Sequence, residues 1–178
     1  MNFNLPHIPT RTSSPRDGGL TMVMDKGLSI NEAKNMISAS SKHIDIVKLG
    51  FGTAYLTENL EEKIKLYRDA GFRVYFGGTL FEAFIARDMF DEFVELVEKY
   101  KLDTVEVSDG SIELDHDKKC EYIRILSKKV TVLSEIGSKS ADVLIPPYKW
   151  IQMMEKELAA GSWKVIAEAR EGGNVGIC

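Results

Sequence analysis

The sequence predicts an α/β fold built around parallel β-strands. Six short runs rich in β-branched and aromatic residues each end in a polar or glycine-rich tip, and an amphipathic segment of helical length follows each of the first five runs. The runs begin at intervals of about 24 to 33 residues, close to the length of one βα unit. A βα pattern that repeats five times and closes with a sixth strand is typical of a parallel sheet.

The strands and their tips follow one another along the chain. The predicted strands cover residues 20–24, 44–47, 72–76, 104–107, 130–133 and 165–167. The tips are Asp25-Lys26-Gly27, Lys48-Leu49-Gly50-Phe51-Gly52, Gly77-Gly78-Thr79, Ser108-Asp109-Gly110, Ser134-Glu135-Ile136-Gly137 and Glu168-Ala169-Arg170-Glu171-Gly172-Gly173. In parallel folds the reactive groups lie at the carboxyl ends of the strands, so we expect function at these tips.

Five helices are predicted between the strands. The first begins near Ser29, because Ser29 and Glu32 have the spacing of a capping box. The third has apolar residues at i, i+3, i+4 and i+7 over residues 90–97, the pattern of one buried helical face. The others are expected at residues 58–70, 117–128 and 147–160, the last opened by proline and closed by Gly161.

Two architectures accommodate six such strands. An open, doubly wound sheet is one, and part of a (β/α)8 barrel is the other. A complete barrel typically needs about 250 residues, so a chain of 178 residues would contain only about six of the eight units. The length favours a single domain, predicted over residues 20–178. Residues 1–19 contain three prolines and are predicted to form an irregular, solvated arm.

The composition argues against nucleic acids and anionic membranes as binding partners. The formal net charge is −4 and charged residues make up 28% of the chain, which gives no general attraction to nucleic acid or to an anionic membrane. No apolar stretch approaches the roughly 20 residues of a membrane span, and no secretory signal is recognised, so a cytoplasmic protein is expected. The two cysteines have neither metal-ligand spacing nor the pattern of a disulfide framework.

Carboxylates at the strand ends predict a metal site. Glu106 lies between two valines within a strand, where an acid is costly to bury unless a cation meets it. Glu168 stands between two alanines in the same way, and Asp25 and Glu135 lie at further strand ends. Three or more of these oxygens could converge on one hard cation such as Mg²⁺. Each acid taken alone is also an ordinary residue of a turn.

Basic and glycine residues at the tips predict an anion site. Lys48, Lys139 and Arg170 can hold a phosphate or carboxylate, and a lysine whose pKa is lowered can deliver a proton. The alternative role of each is an ion pair with the neighbouring acids. Glycines such as Gly77 and Gly78 allow close backbone approach and offer amides to anions, although the chain has no Walker or GxGxxG signature.

Taken in order, six motifs resemble the phosphosulfolactate synthase family, over a span from about Thr10 to the last residue. These motifs are Asp25-Lys26-Gly27, Lys48-Leu49-Gly50-Phe51-Gly52-Thr53, Phe76-Gly77-Gly78-Thr79-Leu80-Phe81-Glu82, Glu106-Val107-Ser108-Asp109-Gly110, Ser134-Glu135-Ile136-Gly137-Ser138-Lys139 and Glu168-Ala169-Arg170-Glu171. The resemblance implies a TIM barrel lyase that adds sulfite to phosphoenolpyruvate with the help of Mg²⁺ and forms (2R)-phospho-3-sulfolactate, the entry step of coenzyme M synthesis in methanogens.

The resemblance also implies roles for individual residues. Asp25, Glu106, Glu135 and Glu168 are the candidate metal ligands, and Glu106 and Glu135 are counted as catalytic because the metal would stabilise the developing enolate charge. Lys139 is the candidate acid that protonates C2. The residues expected to bind the anionic groups of the substrates are Lys48, Gly77, Gly78, Thr79 and Arg170.

Two other functions fit the same residues. The family includes plant relatives associated with heat stress, so the chain could act through protein contacts without catalysis. It could also be a barrel enzyme for another phosphorylated enol or carboxylate, with a different nucleophile. The chain ends after its sixth strand, so we expect it to be a fragment or truncated form with low activity when isolated, and a homo-oligomer is possible.

Overall fold

The computed structural model describes residues 5–50, 52–137 and 145–167. Within these ranges the structure has six strands and six α-helices, and at least one helix follows each of the first five strands, as predicted. The strands are β1 (Met22–Asp25), β2 (Ile46–Leu49), β3 (Arg73–Phe76), β4 (Thr104–Val107), β5 (Thr131–Ile136) and β6 (Lys164–Ala167). The helices are α1 (Ile30–Ser40), α2 (Leu60–Asp69), α3 (Gly78–Ile85), α4 (Phe90–Lys99), α5 (His116–Leu126) and α6 (Pro147–Ala160). Among the described residues, no helix is long and apolar enough to cross a membrane.

All paired strands are parallel, as predicted. Backbone ladders join β1 to β2 to β3, and β4 to β5 to β6, in two three-stranded sheets. Side chains connect the two sheets, since Arg73 of β3 donates to the hydroxyls of Thr104 of β4 at 2.9 Å and Thr131 of β5 at 3.0 Å. The order β1 to β6 along the chain is therefore also the order in space.

The two faces of the strands have different chemistry. One face is mainly apolar and packs against the helices in a single core. Its apolar strand residues are Val47, Leu49, Val74, Phe76, Val105, Val107 and Val132. Burying each such side chain stabilises the fold by about 1.5–3 kcal/mol. The opposite face, here called the inner face, carries the alternate residues: a small apolar cluster of Ile46, Tyr75 and Leu133, and several charged groups.

Local signals explain the helix boundaries. The capping box at Ser29 and Glu32 is present with both of its hydrogen bonds, as predicted. The last helix occupies the predicted residues, and Gly161 ends it in the left-handed conformation. The second helix is shorter than predicted because Asn59 adopts a left-handed conformation immediately before it.

Helix α3 is absent from the sequence prediction. Its residues are mostly apolar and begin with glycine, so they lack the alternation of polar and apolar faces that identifies a surface helix. Half of the residues of this short helix are buried, and the helix packs against β4 and α4. Consequently the segment after β3 contains two helices where one was predicted.

The described part of the N-terminal arm, residues 5–19, contains no helix or strand. The expectation that it is solvated is wrong for Arg16, whose side chain is only 2% exposed and whose Nε lies 3.0 Å from the Asp45 carboxylate. Arg11 also approaches Asp45, at 3.5 Å. The arm therefore attaches to the amino end of β2, the end opposite the strand tips.

Candidate functional site

Four polar side chains meet on the inner face near the carboxyl ends of neighbouring strands. They are Lys48 of β2, Tyr75 of β3, Glu106 of β4 and Glu135 of β5, here called the inner polar cluster. Each is the last but one residue of its strand, so the two-residue alternation points all four to the same face. Residues far apart in the sequence are thus brought together by the parallel winding of the strands.

Glu106 is the centre of this cluster. Its Oε1 accepts hydrogen bonds from the Lys48 Nζ and from the Gly78 backbone amide, each at 2.7 Å. Its Oε2 accepts the hydroxyl of Tyr75 at 2.8 Å. The side chain of Glu106 is 1% exposed, and these three donors satisfy a carboxylate that would otherwise be costly to bury.

Lys48 lies between two carboxylates. Its Nζ is 2.7 Å from Glu106 and 3.4 Å from the Oε2 of Glu135. Burial lowers the pKa of Lys48, but attraction to the two glutamates outweighs burial, so the pKa is raised overall and the amine stays charged at neutral pH. Burial raises the pKa of Glu106, partly opposed by Lys48. Burial and the Glu106 charge raise the pKa of Tyr75, which therefore remains a neutral donor.

The glycines after β3 serve the protein rather than an external anion. The amide of Gly77 donates to the Leu49 carbonyl at 2.9 Å, and the amide of Gly78 donates to Glu106. The prediction that these two amides bind substrate is therefore not supported by their geometry. Gly78 is needed for space, since a Cβ there would lie 2.1 Å from the Ser108 Oγ and 2.7 Å from Glu106.

Asp25 lies on the opposite face of the strands, away from Glu106 and Glu135. Its carboxylate accepts the backbone amides of Gly27 and Leu28 and the hydroxyl of Tyr67, and it pairs with Lys63 at 3.0 Å. Burial raises the pKa of Asp25, but these hydrogen bonds outweigh burial and lower it overall. The structure therefore does not bring Asp25 to the candidate metal site, because the pleat turns its side chain towards the helices.

The remaining predicted site residues divide into two groups. Lys139, Glu168 and Arg170 lie outside the described residues, so their roles stay predictions. Thr79 lies in the first turn of α3 and borders a cavity of about 470 Å³ between that helix and the loop at Gly52 and Tyr55.

Within the described ranges, no group of three or more His, Cys, Asp or Glu residues is arranged to hold a metal ion.

Tyr75 is a member of the site that the sequence prediction missed. A tyrosine within a strand is an ordinary β-former, so nothing in its local sequence distinguishes it from a core residue. The signal lies in the register: Tyr75 is paired with Lys48 across β2 and β3, and paired residues share a face. Register is unknown until the strands are aligned in space, so this residue could not be assigned from the sequence.

The arrangement places a fixed cation between two carboxylates. Lys48 presents a charged ammonium group at the carboxyl end of the strands. Glu106 fixes the position of this group, and Tyr75 in turn fixes Glu106. Glu135 adds a second carboxylate at the same place, with 8% of the residue exposed. A buried lysine between two acids on an inner face is a costly feature for a purely structural role.

Comparisons with known proteins identify the family of this chain. Residues 9–178 match the family model described as (2R)-phospho-3-sulfolactate synthase (ComA). The phosphosulfolactate synthase of Bacillus subtilis is 36% identical over 180 residues, which cover 100% of this chain and 71% of that protein. The phosphosulfolactate synthase of Methanothermobacter thermautotrophicus is 35% identical and covers 95% of this chain and 68% of that protein.

A solved structure supports the fold. The crystal structure of 3-hexulose-6-phosphate synthase, a TIM-barrel enzyme, matches with a TM-score of 0.50 at 15% identity, covering 89% of this chain and 70% of that chain. At this identity the likeness concerns the α/β fold alone. The match to the family model, together with the two relatives, shows that the chain belongs to the (2R)-phospho-3-sulfolactate synthase family.

Proposed function

We propose that the protein is a lyase that adds sulfite to phosphoenolpyruvate and forms (2R)-phospho-3-sulfolactate. The observation that carries the proposal is the inner polar cluster, in which a charged lysine and two glutamates meet at the carboxyl ends of parallel strands. Family membership supports it, since the relatives are phosphosulfolactate synthases. We also propose that the six strands are part of a (β/α)8 barrel, with the inner face as its lumen.

The proposed reaction makes one bond to carbon and moves one proton. The sulfur lone pair of sulfite forms a bond to the methylene carbon of phosphoenolpyruvate, and the electrons of the double bond move to C2 and into the carboxylate. A proton then joins C2, and the phosphate ester remains intact. Negative charge therefore increases at the substrate carboxylate before protonation, so a fixed cation at that position lowers the barrier.

Lys48 is the described residue best suited to hold that charge. Its raised pKa keeps it protonated at neutral pH, and its Nζ is already oriented by Glu106. Glu106 and Tyr75 would act by fixing Lys48, because their polar atoms bond to one another and to the Gly78 amide. Preorganisation of this kind is worth several kcal/mol in a site that excludes water.

The cluster needs further positive charge before it can bind two anions. With Glu106 and Glu135 ionised, Lys48 leaves a net charge of −1, which would repel both substrates. The proposal therefore assigns additional counter-charge to Mg²⁺ and Arg170, while Lys139 remains the candidate acid that protonates C2. Thr79 stays a candidate ligand for the phosphate or carboxylate.

Magnesium fits one glutamate of the cluster better than the other. Glu106 already accepts three hydrogen bonds and lies 2.7 Å from an ammonium group, which leaves little room for a divalent cation. Glu135 has a longer contact with Lys48 and greater exposure. Mg²⁺ commonly uses one or two protein carboxylates together with substrate oxygens, so Glu135, with Glu168 as a further candidate, would hold it. When bound, the ion supplies charge stabilisation to the enolate.

The test is product formation by the full-length protein. The protein is incubated with phosphoenolpyruvate, sulfite and Mg²⁺, and the products are examined by mass spectrometry for the sulfonate. Formation of phosphosulfolactate supports the proposal. Release of phosphate without sulfonate indicates an enzyme for another phosphorylated enol, and absence of any turnover favours a role through protein contacts; either result contradicts it.

A further inference from the structure

A second group of buried polar residues lies behind the inner polar cluster, on the helix-facing side of β5. Lys119 of α5 is completely buried, and its Nζ donates to the Asp109 carboxylate and pairs with Glu157, each at 2.8 Å. Its third bond, at 2.5 Å, goes to the backbone carbonyl of Glu135. An ammonium group has three donors, so these contacts use its full capacity.

The bond to the Glu135 carbonyl occurs where the ladder between β4 and β5 ends. The amide of Thr131 bonds to the Asp103 carbonyl, so alternate residues of β5, Glu135 included, direct their backbone groups towards β4. The ladder pairs Val107 with Ser134 and goes no further. Lys119 therefore supplies a donor just past the last paired residue, and it also holds Asp109 in the loop after β4.

We propose that Lys119 is a positioning residue, which fixes the end of β5 so that the Glu135 carboxylate points towards Lys48 on the other face. The kinetic consequence rests on the proposed function. Lys119 is on the helix-facing side and acts through the backbone of Glu135. The neighbouring Asp109 loop is held by the same ammonium group, so the ends of two strands are fixed together.

The variant that tests this must remove the cation without leaving Glu157, its fully buried partner, charged. Asp109, the other partner, keeps its charge, and 12% of its side chain is exposed to solvent. The double substitution Lys119→Met with Glu157→Gln removes one charge of each sign, keeps the length of the Glu157 side chain and shortens that of Lys119 by its terminal atom alone. The single substitution Glu157→Gln is the matched control, since it leaves the bonds of Lys119 to Asp109 and to the Glu135 carbonyl in place. His116, which lies 3.2 Å from Glu157, can bond to the glutamine in both variants.

The expected result is a fall in kcat of about 10- to 100-fold in the double variant, the usual effect of removing a group that orients a functional carboxylate. The KM for phosphoenolpyruvate should change much less, because Lys48 remains in place. The control should keep kcat within about threefold of the original protein. A double variant with an unchanged kcat, or with an effect confined to KM, overturns the proposal.

A structural measurement separates this proposal from the proposed function. A crystal structure of the double variant gives the distance from the Glu135 carboxylate to the Lys48 Nζ, and amide hydrogen exchange at residues 134–137 reports the order of the strand end. Displacement of the carboxylate with faster exchange supports the positioning role even if no sulfonate is formed. An unchanged distance and unchanged exchange overturn it, whatever reaction the protein catalyses.

Discussion

Two buried lysines have similar partners on opposite faces of the parallel strands: Lys48 on the inner face, and Lys63 of α2 on the helix-facing side. Lys48 contacts Glu106, which also accepts the hydroxyl of Tyr75. Lys63 contacts Asp25, which also accepts the hydroxyl of Tyr67. The composition of the two groups is almost the same, so residue types alone do not distinguish them.

The difference lies in what else reaches the carboxylate. Two backbone amides of the loop after β1 bond to Asp25, and hydrogen bonds to the charged form hold its pKa below the usual range. Glu106 accepts one backbone amide. Burial raises its pKa, and the charge of the neighbouring Glu135 raises it further. The hydrogen bonds of Asp25 are therefore consistent with a structural role, whereas Glu106 shares its lysine with a second acid at the site to which the proposed function assigns the chemistry.

The largest expected effect is the loss of activity on Lys48→Met. The variant removes the cation that would face the growing negative charge, so kcat/KM should fall by about 1000-fold, which corresponds to about 4 kcal/mol of transition-state stabilisation. The measurement is the initial rate of sulfonate formation. A rate within tenfold of the original protein would show that Lys48 is not part of the reactive site.

On the other face, Lys63→Met should reduce stability and spare catalysis. Removing one partner of a buried ion pair costs about 3 kcal/mol of unfolding free energy, measured by urea denaturation. Asp25→Asn is the companion variant, and it should leave the Mg²⁺ dependence of the rate unchanged. A large rise in the Mg²⁺ concentration needed by Asp25→Asn would restore Asp25 as a metal ligand and contradict the comparison.

A smaller effect is expected from Gly78→Ala. The new methyl group would collide with the Ser108 Oγ and with Glu106, so α3 must move and the Gly78 amide loses its alignment with Glu106. We expect kcat to fall by about tenfold, because a small misplacement of a positioned group is costly. Gly18→Ala is the control, since nothing lies within 4 Å of its added Cβ. Equal rates for the two variants would show that α3 does not position the groups of the site, and would contradict the prediction.

The smallest expected effect is on the pH dependence of stability, to which Asp25 and Glu106 should contribute with opposite signs. The lowered pKa of Asp25 gives stability that is present above the ordinary value near 3.8 and is lost as pH falls through the folded pKa. The raised pKa of Glu106 has the reverse sign, because stability falls as pH rises above its ordinary value near 4.5. The unfolding free energy of each variant, Asp25→Asn and Glu106→Gln, is measured across this pH range and subtracted from that of the original protein. The two differences should change with pH in opposite directions.

The strand-and-helix order could be read from the sequence because each element carries its own local signal. Strand β4 and helix α6 have the predicted bounds, since a valine-rich run marks the strand and a proline and a glycine delimit the helix. Helix α3 could not be predicted, because a short and mainly apolar helix has no polar face to reveal its period. Its position beside β4 is determined by contacts with residues that are distant in the sequence.

The candidate site was predictable in part. Glu106 was identified because an acid within a strand needs a partner, and Lys48 because it follows a buried strand. Asp25 was expected to converge with the other strand-end acids on one cation. It lies on the other face because it pairs with Leu49 of the apolar face, and this register is not visible in the sequence. The roles of Tyr75 and Lys119 depend on strand register and on helix packing, which the local sequence does not encode.

The most direct test of the central claim is a crystal structure of the full-length protein with phosphoenolpyruvate and Mg²⁺. The account predicts that an oxygen of the substrate carboxylate or phosphate lies about 3 Å from the Lys48 Nζ, within hydrogen-bond distance, with Glu106 still bonded to the same amine. Substrate bound on the helix-facing side, or at the amino ends of the strands near Asp45, would contradict it.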